Sequence, residues 1–309
     1  MTALAAAADK YLKMRRALGF KLRHQTWWLP QFVAFIQAQG SSTITVELAM
    51  RWAQQPADAH PNWWARRLSA IRCFARYYQA YDSRTEVPSP DLLPTRRLRQ
   101  VPHIYSDHEI DALLAKARQI RDRLLSATYT TLLGLLAATG LRVGEALALD
   151  DEDVDLRRSL ITVRNAKFGK SRLVPVHSST VVALQQYVRR RDRWCPRYGR
   201  RTRSFFLSST GARVLHQNFH RVFLRLVVLA GIRGHRDRRP RLHDLRHTFA
   251  VKTVREWYRA GVDVEPRLAV LSTYLGHVSP TSTYWYLTAT PDLLRLAGER
   301  LEHSWKVQP

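Results

Sequence analysis

The feature that most constrains the fold is a break in the hydrophobic pattern between about residues 83 and 103. The segment RTEVPSPDLLPTRRLRQVPH is rich in proline and arginine, and it has neither the helical nor the alternating period of a packed element. Helical patterns precede it, and a mixture of helix and strand patterns follows it. We therefore expect two domains, at 1–85 and 105–309, joined by a linker at 86–104.

The first domain is predicted to contain four helices, with stops at Gly19, at Gly40 and in the stretch QQPADAHP. The helix predicted over 63–81 has apolar residues at helical spacing, namely Leu68, Ile71, Phe74, Ala75 and Tyr78. Arg72 and Arg76 lie one turn apart on another part of its surface. These arginines fit either a solvated face or a helix laid against DNA phosphates.

The second domain mixes helices with a small sheet. Ser106 is a candidate helix N-cap, and Glu109 completes a capping box three residues later. An apolar helix is expected to end at Gly140. The alternating stretches SLITVRNAK and SRLVPVH predict two strands joined by a tight turn at Phe168 and Gly169. The whole chain is thus expected to be mainly α with a small β-sheet, an α+β fold.

Charge points to a polyanionic partner. Lys and Arg number 50 against 25 acidic residues, which gives a formal net charge of +25 and favours nucleic acid. No apolar run is long enough to span a membrane, and the N-terminus has its basic residues after its apolar stretch, the reverse of a secretory signal. Cys73 and Cys195 are too far apart to suggest a disulfide framework or a zinc site. A cytoplasmic protein that contacts no membrane is expected.

Four short stretches carry residue types suited to phosphate chemistry, although each alone also fits an ordinary structural role. They are GLRVGE with Arg142 and Glu145, NAKFGKSR with Lys167 and Lys170 near a hairpin tip, HDLRH with His243 and Arg246, and LGHVSPTSTYWY with His277, Tyr284 and Tyr286. In HDLRH, the three-residue spacing puts His243 and Arg246 on one helix face. An arginine fork can bind two phosphate oxygens, and a histidine can exchange a proton near neutral pH.

In this order, the four stretches resemble the tyrosine recombinase and integrase family, which includes Xer recombinases and phage integrases. The resemblance spans about residues 106–291. The first segment resembles, more loosely, the helical SAM-like core-binding domain of that family. The resemblance implies a site-specific recombinase that breaks and rejoins DNA strands through a 3′-phosphotyrosyl bond, without metal, ATP or cofactor.

The resemblance also implies a role for each site residue. Tyr286, nine residues past His277, would be the nucleophile in preference to Tyr284. Its partners would be Arg142 and Arg246 on the scissile phosphate, His243 as proton acceptor, Lys167 as general acid, His277 as hydrogen-bond donor and Glu145 as support for Arg142. Further DNA contacts are expected from Arg72, Arg76, Lys170 and Arg172. The implied partner is double-stranded DNA, bound by a homotetramer, alone or with other recombinases of the same mobile element.

Several alternatives stay open. The acidic run from Asp150 to Asp155 could suggest a two-metal nuclease, but consecutive acids point in different directions on any regular element. His216 and His220 have helical i,i+4 spacing but lack a third metal ligand. A catalytically silent DNA-binding homologue and a type IB topoisomerase would share much of the pattern.

Overall fold

The computed structural model describes residues 2–55, 57–93, 101–164, 171–194, 202–234, 239–277 and 281–284, together with positions 295, 298 and 299. The chain divides into two compact units, residues 1–99 and 100–309. Each unit has its own buried apolar core, as expected of separate domains. The predicted mainly α architecture with a small sheet is confirmed.

Within the described part of the first unit there are four helices, as predicted: α1 (Ala3–Ala17), α2 (Gln25–Ala38), α3 (Val46–Ala53) and α4 (Pro61–Tyr78). Helix α4 begins at Pro61, before the expected start, because proline is favoured in the first helical turn. The five apolar residues predicted for its inner face are each no more than 4% exposed. The helical period in the sequence therefore identified the buried face of α4.

The two described ends of the predicted linker associate with different units. The backbone N–H of Glu86 donates to Ile44 O at 2.8 Å, and Arg72 donates to Pro88 O at 2.7 Å. Proline removes a donor from the chain but leaves carbonyls that an arginine can bind. Residues 86–89 therefore fold with the first unit, while the His103 side chain contacts Glu109 of the second unit at 3.2 Å.

In its described ranges the second unit contains one 3-10 helix (Asp151–Asp153) and eight α-helices. The α-helices are α5 (Asp107–Arg118), α6 (Arg123–Thr139), α7 (Val143–Ala148), α8 (Ser178–Trp194), α9 (His216–Leu229), α10 (Leu242–Arg259), α11 (Glu265–Leu275) and α12 (Thr281–Tyr284). Helix α6 packs against α5, α8 and α10. A helix covered on several sides must be apolar over most of its surface, and this explains the leucine-rich sequence of α6.

Two predicted helix boundaries are confirmed. The Ser106 hydroxyl accepts from Glu109 N at 3.1 Å, and the Glu109 carboxylate accepts from Ser106 N at 2.8 Å, which completes the capping box of α5. Gly140 ends α6 in the left-handed conformation, with φ +60°.

The sheet has three antiparallel strands in the order β1 (Val154–Asp155), β2 (Leu160–Val163) and β3 (Arg172–Pro175). Strands β2 and β3 were predicted; β1 was not, because a two-residue strand leaves no alternating pattern. Val163 is opposite Arg172 at the described end of the hairpin. The hairpin tip, with Lys167 and Lys170, lies outside the described residues. Among the described helices, none has the length and apolar character needed to cross a membrane.

Candidate active site

The turn from α6 into α7 places Arg142 and Glu145. A Cβ at Gly140 would lie 2.6 Å from Phe249 Cδ1, so this close passage requires glycine. Arg142 is the N-cap of α7, and its backbone N–H donates to Glu145 Oε2 at 3.1 Å. Its Nη1 donates to Glu145 Oε1 at 2.7 Å. The GLRVGE stretch is therefore a helix start in which the arginine is oriented by its own neighbouring carboxylate.

Helix α10 begins with the HDLRH stretch. Arg241 is its N-cap, and the Arg241 backbone N–H donates to the Asp244 carboxylate at 2.9 Å, while His243 and Arg246 lie in the first two turns. Arg246 is only 2% exposed. Its Nη1 donates to Gly140 O at 2.8 Å, and its Nη2 donates to Leu275 O at 2.7 Å. The arginine of the His-x-x-Arg pair is thus tied to the ends of two other helices.

Three guanidinium groups converge on the C-terminal carbonyls of α11. Each of three consecutive carbonyls accepts one hydrogen bond: Tyr274 O from Arg172 Nε at 2.8 Å, Leu275 O from Arg246 Nη2 at 2.7 Å, and Gly276 O from Arg142 Nη2 at 2.8 Å. Terminal carbonyls of a helix lack partners within the helix and carry the negative end of its dipole. We refer to residues 274–277 as the α11 turn. This turn offsets the repulsion among the three arginines and fixes their relative positions.

Glu145 is the anion shared by Arg142 and Arg172. Besides the bond from Arg142, its Oε1 accepts from Arg172 Nη1 at 3.1 Å and its Oε2 accepts from Arg172 Nη2 at 2.8 Å. Burial alone would raise the pKa of this carboxyl, but the hydrogen bonds from Arg172 and Arg142 lower it to about 2. Glu145 is therefore ionised at neutral pH. Three guanidinium groups and one carboxylate leave a net positive charge that suits a phosphodiester.

Three histidines adjoin this cationic group. Burial and the charges of Arg246 and Arg142 lower the pKa of His277 to about 4. Burial and the nearby His243 lower the pKa of His247 to about 3. Partial burial of the His243 ring and the charge of Arg246 lower the pKa of His243 too, although the residue as a whole is exposed. All three rings are therefore neutral at pH 7.

The α11 turn and α12 together hold His277. Its backbone N–H donates to Ser272 O at 2.9 Å, and its Nδ1 lies 2.7 Å from the buried hydroxyl of Thr283. Tyr284 ends the described part of α12 and is 46% exposed. Tyr286 lies outside the described residues.

The structure brings together five of the residues predicted from the sequence, namely Arg142, Glu145, His243, Arg246 and His277. Lys167, Lys170 and Tyr286 lie outside the described residues.

Sequence reasoning missed one member of the group, His247, and named another, Arg172, with a different expected role. The four motifs do not indicate a role for His247, although its i,i+4 spacing from His243 is a usable signal, and the two rings lie 4.7 Å apart. Arg172 was expected to contact DNA, whereas its side chain is 12% exposed and bound to Glu145 and the α11 turn.

The two arginines predicted for DNA contact in the first unit differ in their surroundings. Arg72 Nε donates to Pro88 O at 2.7 Å, and its Nη2 donates to Ser89 O at 2.9 Å. Arg76 is exposed on α4. Arg76 is therefore the better placed of the two to reach a phosphate.

The acidic run pairs with arginines of the same unit. Its ion pairs are Asp150 with Arg213, Asp151 with Arg191, and Glu152 and Asp153 with Arg164. His216 and His220 are exposed on α9, with ring centroids 6.3 Å apart. Within the described ranges, no three His, Cys, Asp or Glu side chains group as metal ligands.

Comparison with known proteins extends this description. Residues 104–292 match the model of the phage integrase family. The chain is 45% identical to the putative integrase/recombinase y4rB of Sinorhizobium fredii over 99% of both chains. It is 32% identical to the tyrosine recombinase XerD of Mycobacterium tuberculosis over 75% of this chain and 71% of the relative.

Solved structures share the fold at lower identity. The Tn1549 transposon integrase in complex with circular intermediate DNA has a TM-score of 0.63 at 19% identity, covering 96% of this chain and 99% of that one. The XerH site-specific recombinase, bound to its palindromic difH substrate after cleavage, has a TM-score of 0.64 at 18% identity, covering 91% and 77%.

Proposed function

Because this chain belongs to the phage integrase family of tyrosine recombinases, which are site-specific DNA recombinases, we propose that it cleaves and rejoins DNA through a covalent bond to Tyr286. The observation that carries the proposal is the convergence of Arg142, His243, Arg246 and His277 around the α11 turn.

The two arginines would stabilise the reacting phosphate. A phosphodiester carries one negative charge, and its pentacoordinate transition state carries a second, so fixed positive groups favour the transition state over the ground state. Arg142 and Arg246 are already oriented by protein carbonyls. They would therefore need little reorganisation when DNA binds.

Two proton transfers accompany the reaction, one to His243 and one from Lys167. A tyrosine phenol has a pKa of about 10, so it needs a base and cationic surroundings to attack at neutral pH. His243 accepts the proton of Tyr286 as the phenol oxygen bonds to phosphorus. The bond from phosphorus to the 5′-oxygen breaks, and Lys167 protonates that oxygen, while His277 donates a hydrogen bond to the phosphate. Attack by a 5′-hydroxyl from another duplex then reverses these steps and releases Tyr286.

The biological setting is part of the same proposal. We assign the protein to a mobile genetic element, for DNA integration, excision or transposition, acting in the cytoplasm as a homotetramer on two DNA sites. The likeness to a putative integrase over nearly its full length supports this assignment. Arg76 and Lys170 would contribute DNA contacts outside the reacting phosphate.

Covalent trapping tests the proposed chemistry. Nicked duplexes tiled across the flanks of the gene are labelled at the 5′ or the 3′ end of the cleaved strand, incubated with the protein, denatured and separated. A 3′-phosphotyrosyl bond leaves the 5′ label on the protein and releases the 3′ label. Tyr284→Phe is the matched control for Tyr286→Phe, because the two tyrosines are two positions apart.

We expect a 5′-labelled adduct with the wild type and with Tyr284→Phe, and none with Tyr286→Phe. An adduct that persists in Tyr286→Phe would show that another residue is the nucleophile. Binding of the reactive duplex without any adduct would favour the catalytically silent homologue.

A further inference from the structure

We propose that Arg172 is a positioning residue, which orients Arg142 and His277 through Glu145 and the α11 turn instead of contacting DNA. This inference rests on the proposed function, because it assigns a task to Arg172 within the same site. It differs from the sequence-based expectation, in which Arg172 was one of several basic residues facing the phosphate backbone.

The hydrogen bonds of Arg172 point into the protein. Its side chain is 12% exposed. Nε donates to Tyr274 O at 2.8 Å, while Nη1 and Nη2 donate to Glu145 at 3.1 and 2.8 Å. A planar fork with donors on three nitrogens is the group that can bind a carboxylate with two nitrogens and a carbonyl with the third. Arg172 therefore links β3, α7 and the α11 turn.

Gly276 shows how closely the guanidinium packs against the α11 turn. A Cβ at this position would lie 2.8 Å from Arg172 Nη1 and 3.0 Å from Cζ, and the residue has φ +67°. The carbonyl of the same glycine accepts from Arg142 Nη2 at 2.8 Å. Arg172 and Arg142 thus both contact Gly276 and both bind the Glu145 carboxylate. A substitution at Arg172 can therefore displace Arg142 through either Gly276 or Glu145.

The consequence of losing Arg172 follows from these contacts. Glu145 would keep its bonds to Arg142 but lose the partner that holds the other side of its carboxylate. Tyr274 O would lose its guanidinium donor, and His277, three residues on, would lose part of the support of its turn. A displacement of about 1 Å in a positioning group can slow a reaction about 100-fold. DNA affinity would be unaffected.

The test compares Arg172→Ala and Arg172→Lys with the wild type, using the covalent-adduct assay. We expect the adduct rate at saturating DNA to fall about 100-fold in both variants, with an unchanged Kd and an unchanged dependence of Kd on salt. Added guanidinium ion should restore part of the rate to Arg172→Ala and none to Arg172→Lys. A phosphate contact would instead reduce the slope of log K against log salt by about 1, and that result would overturn the proposal.

Gly276→Ala provides an independent variant, because it leaves Arg172 unchanged in the sequence while the added methyl group occupies the space of the Arg172 guanidinium. Gly261→Ala is its matched control: Gly261 has a similar φ of +66°, and an added Cβ there meets nothing within 4 Å. We expect Gly276→Ala to lose adduct rate at unchanged Kd, as the Arg172 variants do, and Gly261→Ala to keep the wild-type rate. Equal rates in the two glycine variants would contradict the proposal.

Hydrogen exchange separates a failure of this inference from a failure of the proposed function. The amides of Gly276 and His277 donate to Thr273 O and Ser272 O, each at 2.9 Å. Faster exchange of residues 272–277 in Arg172→Ala, with other peptides unchanged, supports the positioning role even if the wild type forms no adduct. Unchanged exchange at these residues overturns it.

Discussion

Replacing Gly140 by alanine should destabilise the second unit through two separable effects. An L-residue at φ +60° costs about 1–2 kcal/mol in the left-handed region. The new Cβ would also lie 2.6 Å from Phe249 Cδ1 and 3.1 Å from Leu275 Cδ2, and overpacking of this kind costs about 1–3 kcal/mol. The free energy of unfolding should therefore fall by about 2–5 kcal/mol.

Gly261→Ala isolates the first effect. Gly261 has φ +66° and open space around the added Cβ, so only the backbone cost of about 1–2 kcal/mol is expected. The assay is urea unfolding of the full chain, followed by hydrogen exchange of peptides from α6 and α10, which reports on the second unit alone. Equal losses in the two variants would refute the steric argument, and no loss in either would refute the backbone argument.

Three further predictions concern pH, metal and salt. The free energy of unfolding should be greatest above pH 6.5 and fall toward pH 4. The folded state lowers the pKa of His277 to about 4 and of His247 to about 3, whereas the unfolded chain takes up these protons near pH 6.5. A melting temperature that stays constant over this range would contradict the prediction. Excess EDTA should leave adduct formation unchanged, because the acidic run is paired with arginines; activity lost to EDTA and restored by Mg²⁺ would argue for a metal site. With a net charge of +25, DNA affinity should fall steeply with salt, as measured by fluorescence anisotropy, and a nearly flat response would count against the predicted phosphate contacts.

Local signals predicted much of the fold because the physics that decides them is local. The capping box at Ser106 and the left-handed stop at Gly140 each depend on residues within one helical turn. The inner face of α4 follows from its 3.6-residue period. The two-residue strand β1 left no such period, and the ends of the predicted linker fold onto the units through hydrogen bonds that composition does not encode.

The sequence predicted which residues belong to the candidate site better than it predicted the hydrogen bonds that join them. The order of the motifs predicted Arg142, His243, Arg246 and His277 as neighbours, whereas the contacts of Arg172 are made with partners 27 and 102 residues away in sequence. One of those partners is a backbone carbonyl, which any residue type would present. Spacing rules apply within one helix or strand, so they could not indicate this contact.

The α11 turn holds its arginines with main-chain oxygens, and this makes the site sensitive to the length of α11 more than to its composition. A substitution at Tyr274 or Leu275 keeps the carbonyl that each arginine binds. Inserting or deleting one residue in α11 would instead rotate all later carbonyls by about 100° and move them by about 1.5 Å along the axis. We therefore expect that no insertion or deletion between Glu265 and Gly276 is tolerated, even where many of the intervening side chains can change.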